Sequence, residues 1–168
     1  MHITTTDGDL LDQPVEVIVN AWNRNIIPWW LLLPQGVSGA IKRRAGYGPF
    51  NELSRKGILP LGGAVITGAG RLPFRAIIHV AGIGFLWMAS EQSIRQSVSN
   101  ALSLAIVHEF RSIAFPLIGA GTGGGRPHQV QALMEDEIMK SNYPGEVVIV
   151  RFKKTSEKIA PLNSPSGL

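Results

Sequence analysis

The chain has 168 residues, of which 45% are hydrophobic, a length that supports one domain with a sizeable core and is too short for two. Sixteen Lys and Arg against twelve Asp and Glu give a net charge of +4, which helps to attract an anionic partner. Because the chain has no Cys, disulfides, thiolate metal ligands and a cysteine nucleophile are all excluded.

Short β-branched segments alternate with helix-like stretches along the chain. The predicted strands lie at 15–19, 63–67, 76–80, 112–118 and 146–152, and the predicted helices at 37–45, 90–109 and 127–140. The second helix begins at Ser90, a favourable N-cap, and its residues Ile94, Val98, Leu102 and Ile106 recur every fourth position, which predicts one buried face. The alternation predicts an α/β domain whose mostly parallel sheet is covered on both faces, with ligands bound beyond the carboxyl ends of the strands.

A glycine-rich loop, Gly119-Ala120-Gly121-Thr122-Gly123-Gly124-Gly125, follows the fourth predicted strand. Consecutive glycines leave backbone N–H groups uncovered by side chains, so these groups can converge on a phosphate. A plain strand-to-helix turn explains the same composition, and this loop alone does not decide between the two. Its weight comes from a second loop, at Gly36 and Val37, which opens a helix with free N–H groups and the positive end of a dipole.

The distribution of charged residues and histidines narrows the function further. The basic residues are scattered, without the long basic block or interleaved aromatics of a nucleic-acid binder, so nucleic acid is disfavoured as a partner. The four histidines lack an i, i+4 pair, which disfavours a metal site. No signal-peptide pattern is evident, and no apolar run approaches the roughly 20 residues that span a bilayer, so we expect a soluble cytoplasmic protein without a membrane partner.

Several motifs occur in a family-specific order. The chain reads G-D-L at 8–10, V-N-A-W-N at 19–23, G-V-S-G-A-I at 36–41 and I-I-H-V-A-G at 77–82, and F-P at 115–116 precedes the late glycine loop. With these motifs the chain resembles the macrodomains, a family of ADP-ribose-binding modules, from Gly8 to about Phe152. The resemblance implies a three-layer α/β/α fold with a central mixed sheet, mostly parallel, as a single domain over 1–152. Residues 153–168 lose hydrophobic periodicity and gain Ser, Pro and Gly, so we expect a loosely attached tail.

The resemblance also implies where ADP-ribose binds. Asp9, next to Leu10, accepts a hydrogen bond from the adenine amino group, and Phe152 stacks on the adenine. The two glycine loops grip the diphosphate from opposite sides, while the distal ribose lies against Asn23, Gln35 or Ser38. The full set of implied ligand-binding residues is Asp9, Leu10, Asn20, Gln35, Gly36, Val37, Gly119, Ala120, Gly121, Thr122, Gly123, Gly124 and Phe152.

The residues by themselves allow other roles at three of these positions. Asp9 follows a glycine and is equally suited to cap a turn or a helix. Asn20 stands where a predicted strand gives way to a loop, and a structural role there is the interpretation we favour. Phe152 ends a strand, where an aromatic residue is more often packed into the core, and ring stacking adds only about 1 kcal/mol.

The candidates for catalysis are Asn23, Ser38 and Lys42. Many hydrolytic macrodomains read G-G-G-V-D where this chain reads Q-G-V-S at 35–38, and Ser38 cannot replace the acid as a general base near neutral pH without help. Another branch of the family, which removes ADP-ribose from acidic side chains, carries a lysine at the position of Lys42. Its acid in the late glycine loop is missing here, because Gly123 or Gly124 stands in its place.

Lys42 therefore has two interpretations. It is either a functional group, as an amine that attacks C1″ of ADP-ribose or a cation on its phosphate, or a solvated helix lysine, which is the interpretation we favour. A lysine nucleophile needs burial or a neighbouring cation to lower its pKa, and the sequence offers only the cations, Arg43 and Arg44.

An apolar insert, I-I-P-W-W-L-L-L-P at 26–34, lies in the expected ligand-side loop and is stiffened by a proline near each end. One hypothesis is that Trp29 and Trp30 form a lid wall beside the distal ribose. A core plug or a dimer contact is the interpretation we favour.

These features predict a macrodomain that hydrolyses mono-ADP-ribose from protein side chains, with an ester to Asp or Glu as the expected linkage. An ester has a better leaving group than an N-glycoside, so a site without an obvious general base can still cleave it by positioning the ribose and a water molecule. The expected partners are ADP-ribose and mono-ADP-ribosylated proteins, and no cofactor is required. The alternatives are a non-catalytic ADP-ribose reader, which the missing acid favours, and a hydrolase of a free derivative such as ADP-ribose 1″-phosphate or O-acetyl-ADP-ribose.

Overall fold

The computed structural model of the protein describes residues 2–24, 36–84, 88–121 and 124–153. The apolar insert with Trp29 and Trp30, and the predicted tail beyond Lys153, lie outside these ranges, so the predictions about them stay predictions. The described chain forms six strands, four helices and one 3₁₀ turn at Leu10–Asp12. The strands are β1 (His2–Gly8), β2 (Val17–Trp22), β3 (Ala64–Thr67), β4 (Ala76–Ala81), β5 (Ser112–Pro116) and β6 (Glu146–Phe152). The helices are α1 (Gly36–Ala45), α2 (Gly48–Arg55), α3 (Glu91–Val107) and α4 (Pro127–Met139).

The strands form one mixed sheet in the order β1-β6-β5-β2-β4-β3. All neighbouring pairs are parallel except β3 and β4. The prediction of a central, mostly parallel sheet is therefore confirmed. Because parallel strands end at the same edge, the carboxyl ends of β2, β4 and β5 lie close together, where such sheets bind their ligands.

Alternate residues of the central strands supply two separate cores. In β2, Val17 and Val19 pack with α3 and α4, whereas Ile18 packs with α1 and α2 on the opposite face. Ile78 and Ile77 of β4 divide in the same way. This alternation, with a period of two residues, gives the predicted three layers: two helices, the sheet and two helices.

Helix α3 corrects the predicted spacing of its buried face. Ser90 caps it as the N-cap prediction required: its hydroxyl accepts the backbone N–H of Ser93, and the Ser93 hydroxyl accepts the backbone N–H of Ser90 in a reciprocal capping box. Ile94 is buried, but Ile106 is 43% exposed, and Ala105 is buried instead. A step of four residues overshoots one turn of 3.6 by about 40°, so three such steps carry Ile106 about 120° away from the core.

Two elements had no clear signal in the sequence. β1 is an edge strand with three threonines and a single aliphatic residue, so it lacks the aliphatic run of a buried strand. α2 is only eight residues long, begins with Gly-Pro, and buries Phe50 and Leu53 beneath it. The ends of two strands also differ from the prediction. β2 extends to Trp22 instead of ending at 19, and β5 stops at Pro116 instead of continuing to 118. Within the described ranges, no helix combines the length and the apolar character needed to cross a bilayer.

Candidate functional site

The late glycine loop is tightly constrained by its own packing. Gly119 has a φ of +82°, in the left-handed region, and a Cβ there would collide with the Cβ of Ala89. A Cβ on Gly125 would lie 2.7 Å from Val130 of α4. The N–H of Gly125 also donates to the carbonyl oxygen of Gly119 at 3.0 Å and closes the loop on itself. Packing alone therefore requires glycine at these positions.

The backbone amides of this loop are only partly available to an anion. The N–H groups of Ala120 and Gly124 donate to Leu117 and Gly121, each at 3.3 Å, and that of Gly125 is already engaged with Gly119. Gly121 is exposed. Thr122 and Gly123 lie outside the described residues, and so does Gln35. The amide cradle stays a prediction, and it must use amides other than these three unless the loop rearranges.

The first turn of α1 is held to the sheet through a buried polar chain. The hydroxyl of Ser38 donates to Oδ1 of Asn20 at 2.7 Å. The Nδ2 atom of Asn20 lies 3.1 Å from Nδ1 of His79, and Nε2 of His79 lies 2.8 Å from the hydroxyl of Thr67. Asn20 and His79 are both fully buried, and they are direct partners in the register of β2 and β4. Burial lowers the pKa of His79 to about 3, so its imidazole is neutral at ordinary pH.

This arrangement places Asn20 differently from the sequence prediction. Asn20 is the fourth residue of β2 rather than the first loop residue after it, and its side chain has no exposed surface. The structure therefore assigns its amide to Ser38 and His79, in the structural role that we favoured over direct ligand contact.

Lys42 is buried, so the interpretation of a solvated helix lysine is wrong. Only 8% of the residue is exposed, and its Nζ atom lies 5.1 Å from the ring centroid of Trp22 and 5.0 Å from that of Phe50. Burial lowers the pKa of Lys42. The neighbouring cations Arg43 and Arg44 are exposed. The sequence offered repulsion by neighbouring cations as the only cause of a lowered pKa for Lys42. In the structure the cause is desolvation instead.

A sequence signal for this burial does exist. Lys42 follows Ser38 by four residues, and residues at this spacing share one helix face. Ile41 and Ala45, which flank the same face, are both buried. The aromatic rings that cover Lys42 come from β2 and the unpredicted α2, which is why the burial was missed.

Asp9 and Phe152 lie near each other at the end of the sheet. The register of β1 and β6 pairs Phe152 with Gly8, the residue before Asp9. Phe152 is 71% exposed, so the alternative of a ring packed in the core is wrong. Oδ1 of Asp9 accepts the N–H of Leu11 at 2.8 Å and caps the 3₁₀ turn, which is the capping alternative. Its Oδ2 lies 3.8 Å from Nη1 of Arg44, and the side chain keeps 36% of its surface exposed.

The remaining predicted residues occupy simpler positions. Asn23 is partly buried directly after β2. Leu10 is buried in the core beneath α1. Gly36 has a φ of +56°, and Val37 packs against the same core from the first turn of α1. Among the described residues, no group of three or more His, Asp or Glu side chains is placed to hold a metal ion.

A shallow cleft lies at the other edge of the sheet, where β3 ends and β4 begins. Its lining includes Glu52, Gly68, Arg75 and Phe110, and none of the predicted ligand residues. Glu52 accepts the N–H of Gly68 at 2.9 Å, and Arg75 lies 4.8 Å from the Phe110 ring while pairing with Glu16. Glu52 and Arg75 are thus each engaged by other groups of the protein, and the cleft offers few free polar groups to a ligand.

Comparison with known proteins gives three kinds of similarity. The family model described as Macro domain matches residues 19–134. The O-acetyl-ADP-ribose deacetylase of Citrobacter rodentium is 38% identical over 131 residues, which cover 73% of this chain and 70% of the relative. The Oceanobacillus iheyensis macrodomain with MES bound has a TM-score of 0.76 and 30% identity, and the match covers 89% of this chain and 83% of that one. The same macrodomain with ADP gives a TM-score of 0.73 and 32% identity, with 89% and 83% covered.

Proposed function

The chain belongs to the Macro domain family, as its motif order predicted, and from that premise we propose that it binds ADP-ribose and hydrolyses an acyl ester on its distal ribose. The observation that carries the proposal is the 38% identity to a protein named O-acetyl-ADP-ribose deacetylase. Free O-acetyl-ADP-ribose is therefore the first candidate substrate. It shares its bond type, an ester of a carboxylic acid, with the protein-linked Asp or Glu esters expected from the sequence.

The described residues supply a consistent binding mode. The exposed ring of Phe152 stacks on adenine, and Oδ2 of Asp9, which lies 3.8 Å from Nη1 of Arg44, accepts a hydrogen bond from the adenine amino group. Gly36, Val37 and, in the described part of the late glycine loop, the amides of Gly119 and Gly121 contact the diphosphate. A solved relative with ADP bound supports this part of the proposal. The distal ribose then lies towards Asn23 and Ser38, at the carboxyl end of β2.

Lys42 is the better candidate for the base, because Ser38 lacks a means of activation. The hydroxyl proton of Ser38 is committed to an amide oxygen of Asn20, and an amide cannot remove it. Lys42 lies one helical turn further along the same face, and burial lowers its pKa, which raises the fraction of neutral amine near neutral pH. In the proposed reaction this amine takes a proton from the water that attacks the ester carbonyl. The products are a carboxylic acid and ADP-ribose.

The test joins calorimetry with product analysis on the same protein preparation. We expect heat on addition of ADP-ribose, and release of acetate in equal amount to ADP-ribose from O-acetyl-ADP-ribose. Binding without acetate release would establish a reader instead of an enzyme. The absence of heat from folded protein would overturn the proposed ligand itself.

A second candidate substrate is a protein carrying ADP-ribose on Asp or Glu. The burial of Lys42 favours it, because the family branch with a lysine at this position removes ADP-ribose from acidic side chains. A protein with ester-linked labelled ADP-ribose should then lose its label in the presence of the enzyme. If free O-acetyl-ADP-ribose is cleaved and the protein ester is untouched, this second candidate is wrong.

A further inference from the structure

We infer that His79, which contributes nothing to the proposed chemistry, is a positioning residue that fixes the hydrogen-bond polarity of Ser38 through Asn20. Ser38 is thereby restricted to accepting a hydrogen bond from its ligand, and it selects a free hydroxyl on the distal ribose. This inference rests on the proposed function and deepens it.

The direction of every hydrogen bond in the chain follows from its far end. The Thr67 hydroxyl donates its proton to the carbonyl oxygen of Gly68 at 3.0 Å, and with the proton placed there its oxygen accepts from His79 at 2.8 Å. Nε2 of His79 must therefore carry the proton, and Nδ1 must accept from the Nδ2 group of Asn20. The amide of Asn20 then turns Oδ1 towards Ser38, whose hydroxyl proton it takes at 2.7 Å.

The surroundings of His79 hold this direction in place. His79 and Asn20 have no exposed surface, and the Phe50 ring meets His79 edge-on with its centroid 5.8 Å away. No solvent is therefore available to replace a lost partner, and an unsatisfied buried polar group is costly. Reversal of any one bond would leave two donors or two acceptors facing each other.

The consequence for recognition concerns the lone pairs of Ser38. With its proton directed at Asn20, the Ser38 oxygen meets the ligand only as an acceptor. A ribose hydroxyl satisfies it, whereas an ester oxygen at the same position has no proton to donate. We therefore expect Ser38 to favour ligands with a free hydroxyl at the ribose carbon that it faces. The acyl group of a bound ester is then expected on a different ribose carbon.

The first test compares ADP-ribose with ADP, which lacks the distal ribose. We expect Ser38→Ala and His79→Phe each to weaken ADP-ribose binding by about 3- to 10-fold, the range of one net hydrogen bond. ADP binding should stay unchanged, because the adenine and diphosphate contacts lie elsewhere. The matched controls are Ser54→Ala and His108→Phe, which change an exposed serine and an exposed histidine.

A double variant distinguishes positioning from a general structural role. If His79 acts through Ser38, then Ser38→Ala with His79→Phe should bind ADP-ribose no more weakly than Ser38→Ala alone. Multiplicative losses, or equal losses for ADP and ADP-ribose, would overturn the inference while leaving the proposed function intact. Failure of the unsubstituted protein to bind ADP-ribose would instead overturn the proposed function.

A spectroscopic measurement covers the case in which His79→Phe does not fold. Nitrogen-15 NMR of the unsubstituted protein reports which ring nitrogen of each histidine carries a proton. We expect the signals of one histidine, neutral and protonated at Nε2, to be insensitive to pH across the neutral range. The Thr67→Val variant assigns these signals to His79, because it perturbs only this histidine. A proton on Nδ1 of His79 would contradict the inference.

Discussion

The Nζ atom of Lys42 lies 5.0 Å from the centroid of the Phe50 ring. Phe50 comes from α2, and it covers a lysine that the sequence of α1 places among arginines. Two opposing effects meet here. Desolvation disfavours the ammonium ion, whereas the faces of the aromatic rings attract it. Desolvation by burial lowers the pKa of Lys42. The pair therefore provides a basic amine inside the domain.

Replacement of Lys42 should separate its charge from its basicity. Lys42→Met keeps the apolar stem, and Lys42→Arg keeps a cation that cannot lose its proton. If Lys42 is the base, both variants should reduce ester hydrolysis by at least about 100-fold, the usual contribution of a general base. ADP-ribose binding should change much less. The control is Lys56→Met at the exposed end of α2, and an active Lys42→Arg enzyme would exclude the base role.

The pH dependence of hydrolysis should reflect the same amine. Since the neutral form of Lys42 is the active one, kcat/KM should rise with pH and level off at a pKa below that of an ordinary lysine. The measurement is a pH series of acetate release under conditions where folding is monitored in parallel. A rate that falls with rising pH over this range would show that a cation is required instead.

His79 should make the folded protein sensitive to acid. The unfolded chain binds its proton near pH 6.5 and the folded protein only near pH 3. Between these values the unfolded state holds more protons, so the free energy of unfolding falls as pH decreases, by about 1.4 kcal/mol per pH unit. Below about pH 3 this contribution is fully lost.

Comparison with His79→Phe isolates this dependence. Two ionisable groups lie on the helices that cover this face of the sheet, Lys42 on α1 and Glu52 on α2. Both are present in the unsubstituted protein and in His79→Phe. The same holds for Asp7, whose pKa is lowered chiefly by the hydrogen bond from Lys153, and for Glu16, whose pKa is lowered chiefly by the hydrogen bond from the backbone N–H of Arg111. Urea unfolding at pH 7, 6 and 5 should show that the free energy of unfolding falls more steeply with decreasing pH in the unsubstituted protein than in His79→Phe. Parallel curves for the two proteins would contradict a neutral buried His79.

Phe152 should contribute to affinity without contributing to stability. Its ring is 71% exposed, so Phe152→Ala removes little buried surface and should leave urea unfolding unchanged. Loss of ring stacking should weaken ADP-ribose binding by about 5-fold, equivalent to about 1 kcal/mol. Tyr47→Ala, which removes another exposed aromatic ring, is the control. Unchanged affinity in Phe152→Ala would show that the adenine does not stack on the ring at the end of β6.

Gly119 should be intolerant of any side chain. Gly119→Ala puts a Cβ at a φ of +82° and against the Cβ of Ala89, which should destabilise the fold by about 2–4 kcal/mol. Gly121→Ala is the matched control, because a Cβ there meets no atom within 4 Å. Chemical denaturation of both variants measures the difference, and equal stability would mean that the loop relaxes.

The sequence by itself determined the family, five of the six strands and three of the four helices, and the two glycine loops. These are local features: β-branched runs, the capping of α3 and short motifs all depend on residues close together in the chain. The same local patterns could not locate β1 or α2, because an edge strand of threonines and a helix of eight residues carry weak signals.

The tertiary structure alone decided the chemical state of the site. Asn20 and His79 lie 59 residues apart in the chain, and only the pairing of β2 with β4 puts them in contact. Lys42 is buried by aromatic rings from β2 and α2, and Phe152 is exposed although it ends a strand with a buried interior. Burial and long-range hydrogen bonds set pKa values and proton positions, and both depend on which distant segments pack together.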